Sequence, residues 1–208
     1  MGPEVETALI VGLVGVNAVL GVSFGMAMRR QGAPFVPTAA AKIRAVFGAE
    51  KGLLARVLGP SRGDLHLVDL GSGEGAMVRA AVREGGFGRA TGYELNPALL
   101  VVAQLRSMGR GVERHVWKSL WLADLSEANV VFVYGVPPIM ERLGRKLLRE
   151  LPDGSLVVSN NYALVGLGPP LLADDVDTPL LAPDGSGPVY VYRLSSGRGG
   201  LGAEPPGK

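Results

Sequence analysis

Asp69-Leu70-Gly71-Ser72-Gly73-Glu74-Gly75 is the stretch that most limits what this 208-residue chain can become. The apolar run Leu65-His66-Leu67-Val68 precedes it and reads as a buried parallel strand. Ala76-Met77-Val78-Arg79-Ala80-Ala81-Val82 follows and reads as a helix. A strand, a tight glycine turn and a helix start together make a nucleotide crevice, because bare glycine backbone admits a ligand closely and the first helical N–H groups point towards it. The spacing narrows the ligand. A dinucleotide fingerprint is G-x-G-x-x-G behind an apolar strand. Here it is D-x-G-x-G-x-G, with the acid at the strand end. A carboxylate there would repel a pyrophosphate and suits a cationic ligand that carries an amino-acid head.

Ala90-Thr91-Gly92-Tyr93-Glu94 reads as a second strand ending in an acid, followed by a helix with Asn96 as cap and Pro97 in its first turn. Glu94 stands about 20 residues beyond the glycine turn, the spacing at which a strand-end carboxylate meets ribose hydroxyls. The alternatives are a structural turn acid at Asp69 and a solvated acid at Glu94; the shared strand–acid–helix setting favours a nucleoside-bearing ligand. The D-x-G-x-G-x-G pattern resembles motif I of the class I S-adenosylmethionine methyltransferases.

Composition excludes several chemistries. There is no cysteine, hence no disulfide framework and no thiolate metal site. The only histidines, His66 and His115, fall in predicted strands, so neither a His-based metal site nor a Ser–His–acid arrangement is expected. A net charge of +2 gives no case for nucleic-acid binding.

Residues 7–28 carry no charge. Glu4 and Glu6 precede them and Arg29 and Arg30 follow. A run of about 20 residues is long enough to cross a bilayer as a helix. A cleavable signal would carry its positive charge ahead of the apolar run. The expectation is an uncleaved anchor with the following domain on the cytosolic or matrix-like face; the alternative is a buried helix of the main domain. Pro34-Phe35-Val36-Pro37-Thr38 breaks any helix and is either a linker or a lid over the crevice. Thr38 can cap a helix over residues 39–58, with a break near Gly48 or Gly52.

Further along, residues 112–117 read as a third strand and Val130-Val131-Phe132-Val133-Tyr134 as a central one. Gly135-Val136-Pro137-Pro138 closes that strand before a charged amphipathic helix over 139–151. Residues 155–162 read as a fifth strand, 178–181 as a short one and 189–194 as an antiparallel one. The tail from 195 is rich in Gly, Pro and Ser. Strands alternating with helices predict an α/β, doubly wound, Rossmann-like sheet with its ligand at the strands' carboxyl ends. The expected domains are an anchor over 1–30, a linker and covering helix over 31–60, the main domain over 61–194, and a disordered tail over 195–208.

Several segments together resemble the mitochondrial lysine methyltransferases that modify the adenine nucleotide translocase and the ATP synthase c subunit. They are the hydrophobic N-terminal segment, PFVPT at 34–38, VDLGSGEG at 68–75, GYELNP at 92–97, SLW at 119–121 with DLS at 124–126, and VYGVPPIM at 133–140. The resemblance implies a seven-strand methyltransferase sheet, S-adenosylmethionine as donor, a lysine of a mitochondrial membrane protein as acceptor, and residues 7–28 as targeting and anchoring element on the matrix side. Ser119 departs from the family pattern, in which an acid stands at that position. The residues after Asn160 lack the family's aromatic, proline-rich run.

On this reading Asp69 orients the amino-acid end of the donor, while Gly71, Ser72, Gly73 and Gly75 form the close-approach turn. Glu94 accepts the ribose hydroxyls, Asn96 and Ser119 lie near the adenine, and Thr38 faces the cofactor from the lid. Tyr134, Gly135, Val136 and Pro137 would shape the acceptor pocket, their carbonyls holding a neutral amine in line with the methyl group; the alternative is that the prolines only start a helix. No metal is expected. Two other functions stay open, a small-molecule or lipid methyltransferase at a membrane and a non-catalytic cofactor-binding scaffold.

Overall fold

A computed structural model describes residues 40–48, 52–174 and 188–195. Its elements are α1 (Ala40–Phe47), α2 (Leu53–Leu58), β1 (His66–Leu70), α3 (Ala76–Arg83), β2 (Arg89–Glu94), α4 (Pro97–Arg106), β3 (Glu113–Trp117), β4 (Val130–Val133), α5 (Pro137–Glu150), β5 (Leu156–Asn160), β6 (Leu172–Asp174) and β7 (Val189–Arg193). The strands form one mixed sheet in the order β3-β2-β1-β4-β5-β7-β6. Strands β1 to β5 run parallel, and β7 is antiparallel to both β5 and β6. The strand order reverses direction between β1 and β4, which opens a crevice beyond their carboxyl ends.

Alternation along the strands sends residues to two cores. Leu67, Phe132, Val158 and Val191 pack with α1, α2 and α3 on one face. Val68, Val131, Val133, Val157 and Tyr192 pack on the other with Ile139, Met140, Leu143 and Leu147 of α5. Each of those α5 side chains contributes roughly 1.5–3 kcal/mol by leaving water. Asp69 stands on the first face, in register with Gly92 and Phe132.

The sequence supplies the local stops and starts. Asn96 Oδ1 accepts from Ala98 N at 3.0 Å and Leu99 N at 3.4 Å, and Pro97 opens α4. Pro137 and Pro138 open α5 behind the extended Val136. The break expected near Gly48 or Gly52 falls between α1 and α2, where the two glycines approach so closely that a Cβ on Gly52 would lie 2.5 Å from Gly48 N. Strand β6 at Leu172–Asp174 is not among the expected strands; the short strand expected over 178–181 lies outside the described residues.

The expected transmembrane-type helix does not stand as part of this fold. Among the described residues no helix is long and apolar enough to cross a membrane. The longest, α5, has 14 residues and carries Glu141, Arg142, Arg145, Lys146, Arg149 and Glu150, whereas a span needs about 20 predominantly apolar ones. Residues 7–28, the segment 34–38 with Thr38, and the tail beyond 195 lie outside the described residues.

Candidate active site

The glycine turn is fastened to β2 through its own backbone. Gly71 N and Ser72 N both donate to Tyr93 O, at 2.9 and 3.1 Å. Gly73 N donates to Glu94 Oε2 at 2.8 Å, and Gly75 N to Ser72 O at 2.8 Å. These four turn amides are spent inside the protein; the first helical N–H groups, from Ala76 on, are not among them. What the turn offers is bare backbone. Gly71 has φ +86°, and a side chain there would project into open space, the conformation glycine adopts without strain. Gly92 has the converse role, since a Cβ on it would lie 2.5 Å from Ser72 Oγ. Its missing side chain is what lets the turn sit on β2.

Glu94 ends β2 with its carboxylate held from two sides, by Gly73 N on Oε2 and by Asn96 N at 2.7 Å on Oε1. Each oxygen keeps a further lone pair for a hydroxyl. Asn96 itself is a helix cap through its Oδ1. Ser119 Oγ accepts from Trp121 N at 3.3 Å at the start of a 3-10 turn over Leu120–Leu122, which leaves its hydroxyl proton to donate. Lys118 N donates to Glu94 O at 3.3 Å and so brings Ser119 beside the β2 end. Glu74, the acid inside the turn, is turned aside: Arg79 and Arg106 both pair with it.

Asp69 is only 3% exposed, and among the described residues nothing donates to its carboxylate. Burial, and then the Glu94 charge, push its pKa up to about 8. Ser72 Oγ beside it is also buried without a partner. Two orphaned polar groups next to a second carboxylate are a site for a ligand that brings an ammonium and hydroxyls. The residues present therefore fit a donor carrying an amino-acid head and a ribose.

A second cluster lies at the carboxyl ends of β4 and β5. Tyr134, Gly135 and Val136 connect β4 to α5. Val136 O accepts from Ile139 N at 3.0 Å and belongs to the helix start, whereas no N–H of the described residues is bonded to the carbonyls of Tyr134 or Gly135. The Tyr134 hydroxyl accepts from Asn161 Nδ2 at 2.6 Å, and burial raises the phenol above its ordinary pKa. Asn161 has φ +68°, the left-handed region that asparagine tolerates better than most residues. Lys42 of α1 is 2% exposed and donates to Asn160 Oδ1 at 2.5 Å and Asn161 Oδ1 at 2.8 Å. Asn160 Nδ2 is buried without a partner.

Sequence reasoning meets Lys42 only as a helix residue and Asn160 and Asn161 only as strand residues. A signal exists for Lys42, which is four residues before Val46 and so on the buried stripe of α1. The structure brings Asp69, Gly71, Ser72, Gly73, Gly75, Glu94, Asn96 and Ser119 to one end of β1, β2 and β3. It brings Tyr134, Gly135, Val136 and Pro137 to the neighbouring end of β4. Among the described residues no group of histidine and acidic side chains could hold a metal.

A family model described as the ANTKMT methyltransferase domain matches residues 69–170. The lysine N-methyltransferase of the ATP synthase c subunit from Mus musculus is 34% identical over 200 residues, which cover 92% of this chain and 72% of that protein. The adenine nucleotide translocase lysine N-methyltransferase of Mus musculus is 38% identical over 128 residues, covering 59% and 56%. Among solved structures, an RNA methyltransferase from Salinibacter ruber in complex with S-adenosyl-L-homocysteine superposes with a TM-score of 0.62 at 29% identity, over 77% of this chain and 95% of that one.

Proposed function

This chain belongs to the ANTKMT methyltransferase family, and from that premise we propose that it transfers a methyl group from S-adenosylmethionine to a lysine side chain of a membrane protein. Substrates of the kind its relatives are named for, the ATP synthase c subunit or the adenine nucleotide translocase, fit best. Such a substrate implies work at an energy-transducing membrane, the mitochondrial one for these relatives. The observation that carries the reading is the pair Asp69 and Glu94 across the bare-backbone turn, one carboxylate without a donor and the other already oriented.

When bound, the sulfonium donor supplies an activated methyl group. The protein's share is placement and exclusion of water. Asp69 takes the ammonium of the amino-acid end, and Glu94 accepts the ribose hydroxyls. Gly71 and Gly73 let the chain of the ligand pass close. Ser119 and Asn96 offer donors towards the base. Tyr134 and the carbonyls of Gly135 and Tyr134 line the acceptor channel. A lysine amine, ordinarily near pKa 10.4, must enter neutral, and a dry channel favours that form. Lys42 positions Asn161, and Asn161 positions the Tyr134 hydroxyl, so the phenolic oxygen presents its remaining lone pair to an amine N–H. Val136 and Pro137 fix where the channel ends by starting α5.

The test is incubation of the full chain with methyl-labelled S-adenosylmethionine and membranes. Label that survives in a protein band and maps to lysine supports the proposal. Label in the lipid extract would instead indicate a lipid methyltransferase. Label in added RNA would follow the Salinibacter ruber neighbour's printed activity, and no label with intact donor binding would leave a scaffold.

A further inference from the structure

One side of the molecule has a surface that the methyl-transfer site does not use. Strand β3 ends the sheet, and α4 packs alongside it. Val101, Leu105 and Met108 recur at i, i+4 and i+7 on the outward face of α4 and the turn after it, at 51, 61 and 73% exposure. At the carboxyl end of β3 stand Trp117, at 68%, and Leu95; Leu122 follows in the next turn. The Trp117 indole N–H donates to Leu95 O at 2.9 Å, which fixes the ring at the rim. Single exposed apolar residues are ordinary, but six large ones on one helix, its turn and the adjoining strand end are not.

The charge around that band is mainly positive. Arg106, Arg110, Arg114 and Lys118 are exposed along it. Between residues 95 and 118 the only acid is Glu113, buried and bonded by Arg83 through both carboxylate oxygens, at 2.9 and 3.1 Å. Burial opposes the charge on Glu113, yet the arginine fork holds its pKa below the ordinary value, so it stays an internal anion. Aliphatic side chains interleaved with cations and a rim tryptophan, with Asp124 beside Lys118 as the nearest exposed acid, make the face of an interfacial helix.

We propose that the α4–β3 edge docks on an anionic phospholipid surface. The apolar band enters the headgroup–acyl boundary, and Arg110, Arg114 and Lys118 meet lipid phosphates, Arg106 being paired with Glu74. RNA would use the cations but would leave the aliphatic stripe in water. A second copy of the chain would bring like charges together. The proposal deepens the lysine-methylation reading, because docking by this edge sets the open ends of the strands next to a membrane-embedded substrate. It uses an element separate from residues 7–28.

The experiment uses the full chain with phosphatidylcholine vesicles, with and without phosphatidylglycerol, each containing a brominated lipid. Trp117 emission should be quenched by anionic vesicles and weakly by neutral ones, and the signal should vanish in Trp117→Phe. Leu105→Asp with Met108→Asp, or Arg110→Glu with Arg114→Glu, should each lower vesicle affinity of this edge about tenfold or more. Their melting temperatures and circular dichroism would check the fold. Unquenched Trp117 on anionic vesicles overturns the proposal. So would a Trp117 response to polyuridylate instead of vesicles, or a dimer by light scattering that the Leu105 and Met108 substitutions dissociate. No methyl donor is present, so failure here and failure of methyl transfer are separate results.

Discussion

The donor half and the acceptor half of the crevice are built from different material. At β1 and β2 the working geometry is made by main chain: two amides on Tyr93 O, one on Glu94, and glycines where a Cβ would collide or fill the cleft. At β4 and β5 it is made by side chains, a lysine on α1 reaching two asparagines 118 and 119 residues away and, through one of them, a tyrosine. Main-chain construction suits a ligand that stays the same. A side-chain network can be altered residue by residue, which suits an acceptor that changes.

The strongest way to break this comparison is Gly92→Ala. The added methyl would lie 2.5 Å from Ser72 Oγ and 2.9 Å from Val78 Cγ2. We expect about 1–3 kcal/mol of overpacking cost and no measurable donor binding by calorimetry. Wild-type affinity in this variant would refute the backbone account. Next is Glu94→Ala, which removes two charge-assisted hydrogen bonds worth about 1.5–3 kcal/mol each and should raise the donor Kd at least about a hundredfold. An unchanged Kd would remove Glu94 from the site.

Lys42→Met sharpens the comparison from the other side. We expect turnover of the protein acceptor to fall about tenfold, as for a lost hydrogen bond to a charged group, while donor affinity stays as it was. Lys42→Arg should recover part of the loss. Equal losses in donor binding and turnover would merge the two halves into one.

The smallest effect is a pH dependence. Asp69 titrates near 8 in the free protein against an ordinary value of 3.8. Between those values the folded chain keeps a proton that the unfolded chain has lost, so this group's contribution to stability declines as pH rises from about 4 to about 8 and levels off above. An incoming ammonium favours the ionised form. Donor binding at neutral pH should then release close to one proton, and its affinity should grow with pH, up to about tenfold per unit, until about 8. Calorimetry in buffers of different ionisation heat measures that proton. No release would mean that Asp69 is already ionised or does not touch the ligand.

The same division explains what is legible in the amino-acid order. The turn residues, Glu94 and the Asn96 cap lie within 30 positions of one another, and their spacing is a direct record of strand, turn and helix. The prolines at 137 and 138 announce the start of α5. Lys42 and Asn161 meet only because α1 folds over the sheet, a contact that no local period encodes. The break in the helical pattern over 39–58 is legible too, because Gly48 and Gly52 mark it and α1 and α2 part between them. Residues 7–28 have the charge-free length a membrane span needs and lie outside the described residues, among which no helix is long and apolar enough to cross a membrane.

Tyr93 and Glu94 between them take three consecutive amides from the turn, Gly71, Ser72 and Gly73. That latch is closed before any ligand arrives. These protons should exchange with solvent slowly in the empty enzyme and change little on loading, so the donor finds its socket ready-made and spends almost none of its affinity on ordering it.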